Sequence, residues 1–82
     1  TKAELTAYQK LRIEEYEKAL SDLQVKITNI QNNKNIQQFK KMEDGNWQFV
    51  YVCDEEALSK AQKAYEDKLM DYRQLKALYG VE

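Results

Sequence analysis

Two stretches of this chain carry apolar residues alternately three and four positions apart, and a single Asp-Gly step lies between them. In the first stretch Ile13, Tyr16, Leu20, Leu23, Ile27 and Ile30 follow the spacing 3, 4, 3, 4, 3. This lays them along one stripe of an α-helix, as the a and d positions of a heptad repeat. In the second stretch Leu58, Ala61, Tyr65, Lys68, Tyr72, Leu75 and Tyr79 do the same, with Lys68 as the one polar lapse and Leu69 beside it. A stripe this narrow has to be covered by another helix. Proline is absent and glycine stands only at Gly45 and Gly80, so nothing interrupts either run from within.

The ends of the runs carry stop and start signals. Thr1-Lys2-Ala3-Glu4 fits a capping box, and the first helix is expected over residues 3–35. Before Ile13 the seam loses phase, with Leu5 and Tyr8 in place of the expected positions, which reads as a stutter. The seam ends among Asn29, Asn32, Asn33 and Asn35, whose side chains compete for backbone hydrogen bonds. Asp54 stands where a second helix needs an N-cap, and Glu55 and Glu56 suit its positive end. That helix is expected over 54–79, with Gly80 as C-terminal cap and Lys76 near the last carbonyls. Glu14 and Lys18 form a favourable i, i+4 pair on the wet face.

Between the helices, Phe39 to Val52 reads as a β-hairpin over 38–52. Asp44-Gly45 fits a two-residue type I′ turn, and the aromatic and β-branched run after it suits a strand. That turn pairs Met42 with Trp47, Lys40 with Phe49 and Phe39 with Val50. It puts Trp47, Phe49 and Tyr51 on one face and Phe39, Val50 and Val52 on the other.

The two seams and the turn can be checked against each other, because antiparallel partners have residue numbers with a constant sum. For these heptad phases the sum is 81, 88 or 95, and the pair Met42 and Trp47 asks for 89. Only 88 comes within one residue. It layers Ile30 with Leu58, Ile27 with Ala61, Leu23 with Tyr65, Leu20 with Lys68, Tyr16 with Tyr72, Ile13 with Leu75 and Gln9 with Tyr79. The expected fold is therefore mainly all-α, a single 82-residue module. It is an antiparallel two-helix coiled-coil hairpin with a small β-hairpin at its tip. Leu11, Val25, Leu69, Met70 and Leu78 fall off the seam or at its margin. The expectation is that a second copy or segments of a parent protein cover them, as a homo-dimer or larger helical bundle. A start at Thr1 without methionine reads as a piece of a larger protein, with the second helix continuing past Glu82.

Several functional classes have no footing. Thirteen basic and fourteen acidic residues, interleaved, leave a formal charge of -1, so the basic patch that nucleic acid or anionic lipid needs is missing. The longest apolar run, Phe49 to Cys53, is far too short for a bilayer span or a signal peptide. With no histidine and one cysteine, neither a usual zinc set nor a disulfide can form within one copy, and no cofactor is expected. Cys53 reads either as a reactive thiol or as a small residue closing a strand; without a histidine base the second is taken. The pairs Glu14/Glu15, Glu43/Asp44 and Glu55/Glu56 point about 100° apart on a helix or serve caps, so they do not converge as acid/base pairs. Tyr65, Tyr72 and Tyr79 repeat every seven residues and read as seam residues with hydroxyls at the edge. Trp47, Phe49 and Tyr51 at the tip read as a partner-binding group, or else fold back to shield Ile36 and Phe39. Trp47 to Val52 carries no charge and so is also open to strand pairing. No enzyme is expected.

Over residues 35–60 the order Asp44-Gly45-Asn46-Trp47, then Val50-Tyr51-Val52, then Asp54 opening a helix, all set between heptads, resembles an element of tail tape measure proteins. These come from phages and prophages of Gram-positive bacteria. There a D-G-x-W hairpin interrupts long helices that resume after a V-x-D step, often with a small residue such as alanine where this chain has Cys53. The resemblance covers about a third of the chain. It implies a helical, oligomeric scaffold that sets tail length, found in the bacterial cytoplasm during assembly or in the virion tail, with no catalytic residue to carry over. The rival expectation is a prefoldin-like chaperone or adaptor holding protein partners. It would expose apolar side chains near Leu5, Tyr8, Leu78 and Val81.

Overall fold

The computed structural model describes residues 4–81. The order is α1 (Ala7–Asn32), β1 (Ile36–Lys41), β2 (Trp47–Val52) and α2 (Glu55–Leu78). The chain is mostly helical, and the strands form one two-stranded antiparallel sheet. Its extents are 64 × 18 × 15 Å, the shape of a thin rod.

α1 starts later than expected. The proposed cap at Thr1 lies outside the described residues, and residues 4–6 are not helical. Thr6 is the N-cap: its hydroxyl accepts from the Gln9 N–H at 3.1 Å, and the Gln9 side chain accepts from the Thr6 N–H at 2.9 Å. This is a capping box with glutamine in the third position. α1 ends at Asn32 rather than residue 35, where Asn33 leaves helical geometry within the asparagine cluster. α2 opens as expected, with the Asp54 carboxylate accepting from the Ala57 N–H at 3.0 Å. It closes on Gly80 at φ +74°. There the Val81 N–H reaches the Lys76 carbonyl and the Gly80 N–H reaches that of Ala77, the paired bonds of a Schellman cap.

The hairpin turn corrects the expected register by one residue. A type I′ turn would need Asp44 at positive φ, yet among the described residues only Gly45 (φ +89°) and Gly80 adopt it. Met42 to Gly45 instead forms an i, i+3 turn closed by the Gly45 N–H on the Met42 carbonyl at 3.0 Å. The Met42 N–H then donates to the Asn46 carbonyl at 2.7 Å. Asp44 also accepts from the Asn46 N–H at 2.9 Å. The loop thus has three residues, with glycine alone in the left-handed region. The pairs become Lys41 with Trp47, Lys40 with Gln48, Phe39 with Phe49 and Ile36 with Val52. The expected pairs Met42–Trp47, Lys40–Phe49 and Phe39–Val50 do not form. Every strand pair now sums to 88, as 39 and 49 do, the value asked for by the helical seams.

The helices pack on each other antiparallel. Tyr16 stacks on Tyr72 with ring centroids 6.2 Å apart, and the Gln24 amide donates to the Tyr65 hydroxyl at 3.1 Å. Among the described residues only Leu20 (8% exposed) and Ala61 (4%) are buried. The remaining seam residues, Ile13, Tyr16, Leu23, Ile27, Ile30, Leu58, Tyr65, Tyr72, Leu75 and Tyr79, are half-buried, as is Leu69. The lapse at Lys68 has a physical account. Its stem is half-buried and its ammonium sits 4.5 Å from the centre of the Tyr16 ring, a cation–π contact that lets the charge stay near water. Lys76 likewise lies 5.2 Å from the Tyr72 ring centre. Among the described residues the ion pairs are Arg12–Glu15, Glu56–Lys60 and Lys63–Asp67, not Glu14–Lys18. The two pairs on α2 join well-exposed side chains and add little.

Leu20→Ala is expected to cost about 2 kcal/mol, while Leu11→Ala, at an exposed position, should stay within about 0.5 kcal/mol; urea denaturation followed by helical ellipticity measures both. Nothing lies within 4 Å of a Cβ built on Gly45. Gly45→Ala should therefore cost about 1 kcal/mol through backbone strain alone, and D-alanine at this position should recover that loss in thermal melts.

Candidate functional site

The β-hairpin projects from the end of the helix pair, and the corrected register changes what its faces carry. Alternation along a strand puts Gln37, Phe39 and Lys41 of β1 on the same side as Trp47, Phe49 and Tyr51 of β2. Phe39 therefore joins the aromatic face and is not on the face of Val50 and Val52. Its ring is 5.3 Å from that of Trp47 and 4.9 Å from that of Phe49. Aromatic cross-strand pairs of this kind stabilise a sheet that has no third strand. The four aromatic residues nevertheless remain 56% to 63% exposed. They do not fold back over the helices, and Ile36 is itself exposed. On the opposite face Val50 and Val52 are half-buried.

The sequence singled out Trp47, Phe49 and Tyr51, and the structure sets all three on one face of β2. Phe39 is the member missed, and its signal lay in loop length: a three-residue turn moves it opposite Phe49. A second exposed apolar set, Leu11, Val25, Met70 and Leu78, lies along the rod, and Tyr8 is exposed near its far end.

Other candidates stay dispersed. Cys53 is a free, half-buried thiol between β2 and the Asp54 cap. The six carboxylates of the three adjacent pairs belong to exposed residues. No group of three or more His, Cys, Asp or Glu side chains is gathered for a metal ion among the described residues. Among the described residues no helix is long and apolar enough to cross a membrane. Depressions beside the turn, lined by Lys40 to Asp44, and at the end of α2, lined by Arg73, Lys76, Ala77, Gly80 and Val81, are open to solvent.

Along the rod, Tyr72 of the Tyr16–Tyr72 stack has a perturbed phenol. Partial burial and the negative charge of Glu17 both push Tyr72 above its ordinary value of 10.0, since each disfavours the phenolate. Comparison of the chain with protein-family models, curated proteins and solved structures gives no match.

A phenol held above its ordinary pKa contributes stability that is complete below pH 10.0 and is lost as pH rises through the folded value. Melting temperature should therefore fall on raising pH above about 10. The fall should be smaller in Tyr72→Phe, and Glu17→Gln should bring the Tyr72 titration, followed by ultraviolet absorbance, closer to the ordinary value.

Proposed function

We propose that this chain is a non-catalytic assembly module, a helical hairpin whose unburied apolar surface is covered by protein, working as part of a larger structural protein. The observation that carries this reading is the imbalance of burial. Among the described residues two are buried while ten large apolar ones are exposed, the four hairpin aromatics included. A two-helix rod cannot enclose its own core, and such surface is stabilised when other helices or strands pack on it. The heptad spacing of both helices supports packing as a coiled coil in an oligomeric bundle.

Within that reading, the tape measure resemblance supplies the most specific role. Asp44-Gly45-Asn46-Trp47 sits in the turn and the first residue of β2, and Asp54 caps the returning helix. A scaffold that sets tail length needs long helical segments and side-by-side copies, and a thin rod with apolar flanks suits both needs. A prefoldin-like adaptor is the second reading. It is favoured by the exposed Tyr8 and Leu78 at the end away from the hairpin, although Leu5 and Val81 there are half-buried.

The assembly reading is tested by sedimentation equilibrium of the chain at rising concentration. A dimer or larger species at micromolar concentration is expected, and a strict monomer at high micromolar concentration would remove it. An adaptor would instead suppress aggregation of an unfolding client protein, and Tyr8→Ser with Leu78→Ser would abolish that suppression.

A further inference from the structure

Among the described residues β2 is paired along one edge only, with β1. The Met42 N–H bond to Asn46 sets the phase of the ladder. Residues directly opposite in an antiparallel pair alternate between hydrogen-bonded and non-hydrogen-bonded positions. With Met42–Asn46 hydrogen-bonded, so are Lys40–Gln48, Gln38–Val50 and Ile36–Val52. The non-bonded positions are Lys41–Trp47, Phe39–Phe49 and Gln37–Tyr51. The backbone N–H and C=O groups of Trp47, Phe49 and Tyr51 therefore point away from β1, along an edge that no strand covers among the described residues.

The two edges are not equivalent. β1 carries Lys40 and Lys41, charges of the kind that discourage edge pairing, whereas β2 has no charge and no proline. Resting on the reading of the chain as an assembly module, we propose that two copies join tip to tip through antiparallel β2–β2 pairing, making a four-stranded sheet. A two-fold axis at Phe49 sets Phe49 opposite its own mate and Trp47 opposite Tyr51 of the other copy. All three pairs then fall at hydrogen-bonded positions and exchange about six bonds. The contact is self-complementary, as a two-fold interface requires. Antiparallel pairing also sends the two rods in opposite directions, so the helices do not collide.

The strand's three aromatic residues are 56% to 63% exposed. At roughly 200 Å² per side chain they offer about 350 Å² per copy, below the roughly 800 Å² per partner of a stable complex. The pairing is therefore a reversible one, strengthened where many copies stand side by side. At each end the acidic turn of one copy, Glu43 and Asp44, comes alongside Asp54 and Glu55 of the other, so added salt tightens it.

The test uses the full chain assembled by ligation at Cys53, with and without a methyl group on the Phe49 backbone nitrogen. Between about 10 μM and about 1 mM, the unmodified chain should dimerise. Exchange of the Trp47, Phe49 and Tyr51 amides should slow at least about ten-fold, equivalent to 1.4 kcal/mol, while the intrachain amides of Gln48 and Val50 stay protected throughout. The N-methylated chain should keep its helicity and its Gln48 and Val50 protection but lose the dimer. Dimerisation unaffected by N-methylation, or unchanged exchange at the three amides during dimerisation, overturns edge pairing and leaves the assembly reading standing. A monomer at about 1 mM overturns both.

Discussion

A helix pair that meets along a single stripe has a structural limit: each helix hides one face and leaves the rest wet. Everything else in this molecule follows from that limit. With Leu20 and Ala61 the only buried residues described, stability has to come from small contributions distributed along the rod. Those visible are tyrosine rings stacked or topped by cations, capped helix ends and a hairpin held by aromatic pairs. Tyrosine suits the stripe because its ring can be half-buried while its hydroxyl reaches the boundary with water, as Tyr65 does in bonding Gln24. Lys68 shows the same compromise in a charged residue: a long aliphatic stem lies in the seam and the ammonium tops Tyr16.

Most of this architecture was legible in the sequence. Three-and-four spacing located both helices, the asparagine cluster marked the end of the first, and Asp54 marked the start of the second. The seam register of 88 was also readable, and the stacked Tyr16 and Tyr72 fit it. Two points were not legible, for a shared reason. The sequence offers a Thr-x-x-Glu signal at Thr1 and a Thr-x-x-Gln signal at Thr6, and within the described residues α1 opens at the second, on the Thr6–Gln9 capping box. An Asp-Gly step likewise fits a two-residue or a three-residue loop. The latter won because it leaves Asp44 at negative φ and lets its carboxylate hold Asn46. In both places local chemistry allows alternatives of similar energy, and residue spacing by itself does not choose between them.

The same one-residue difference limited what could be read of the candidate surface. Strand side chains alternate, so a register slip carries a residue to the other face. Trp47, Phe49 and Tyr51 sit on one strand and share a face whatever their partner strand does. Phe39 belongs to them only through the actual pairing. Surface composition was thus predictable within an element and unpredictable across the turn.

A common register in sheet and helices also bears on how the rod closes. Met42 and Asn46 lie four positions apart, whereas Tyr16 and Tyr72 are separated by most of the chain. Contacts near the hairpin need only a short loop to form, and each further layer extends one already in place without any shift in alignment. The molecule should therefore close like a zip from the glycine turn toward its termini and fray from the opposite end. Tyr8 and Leu78 lie in the part that opens first, so whatever neighbour packs there would set how long the rod stays shut.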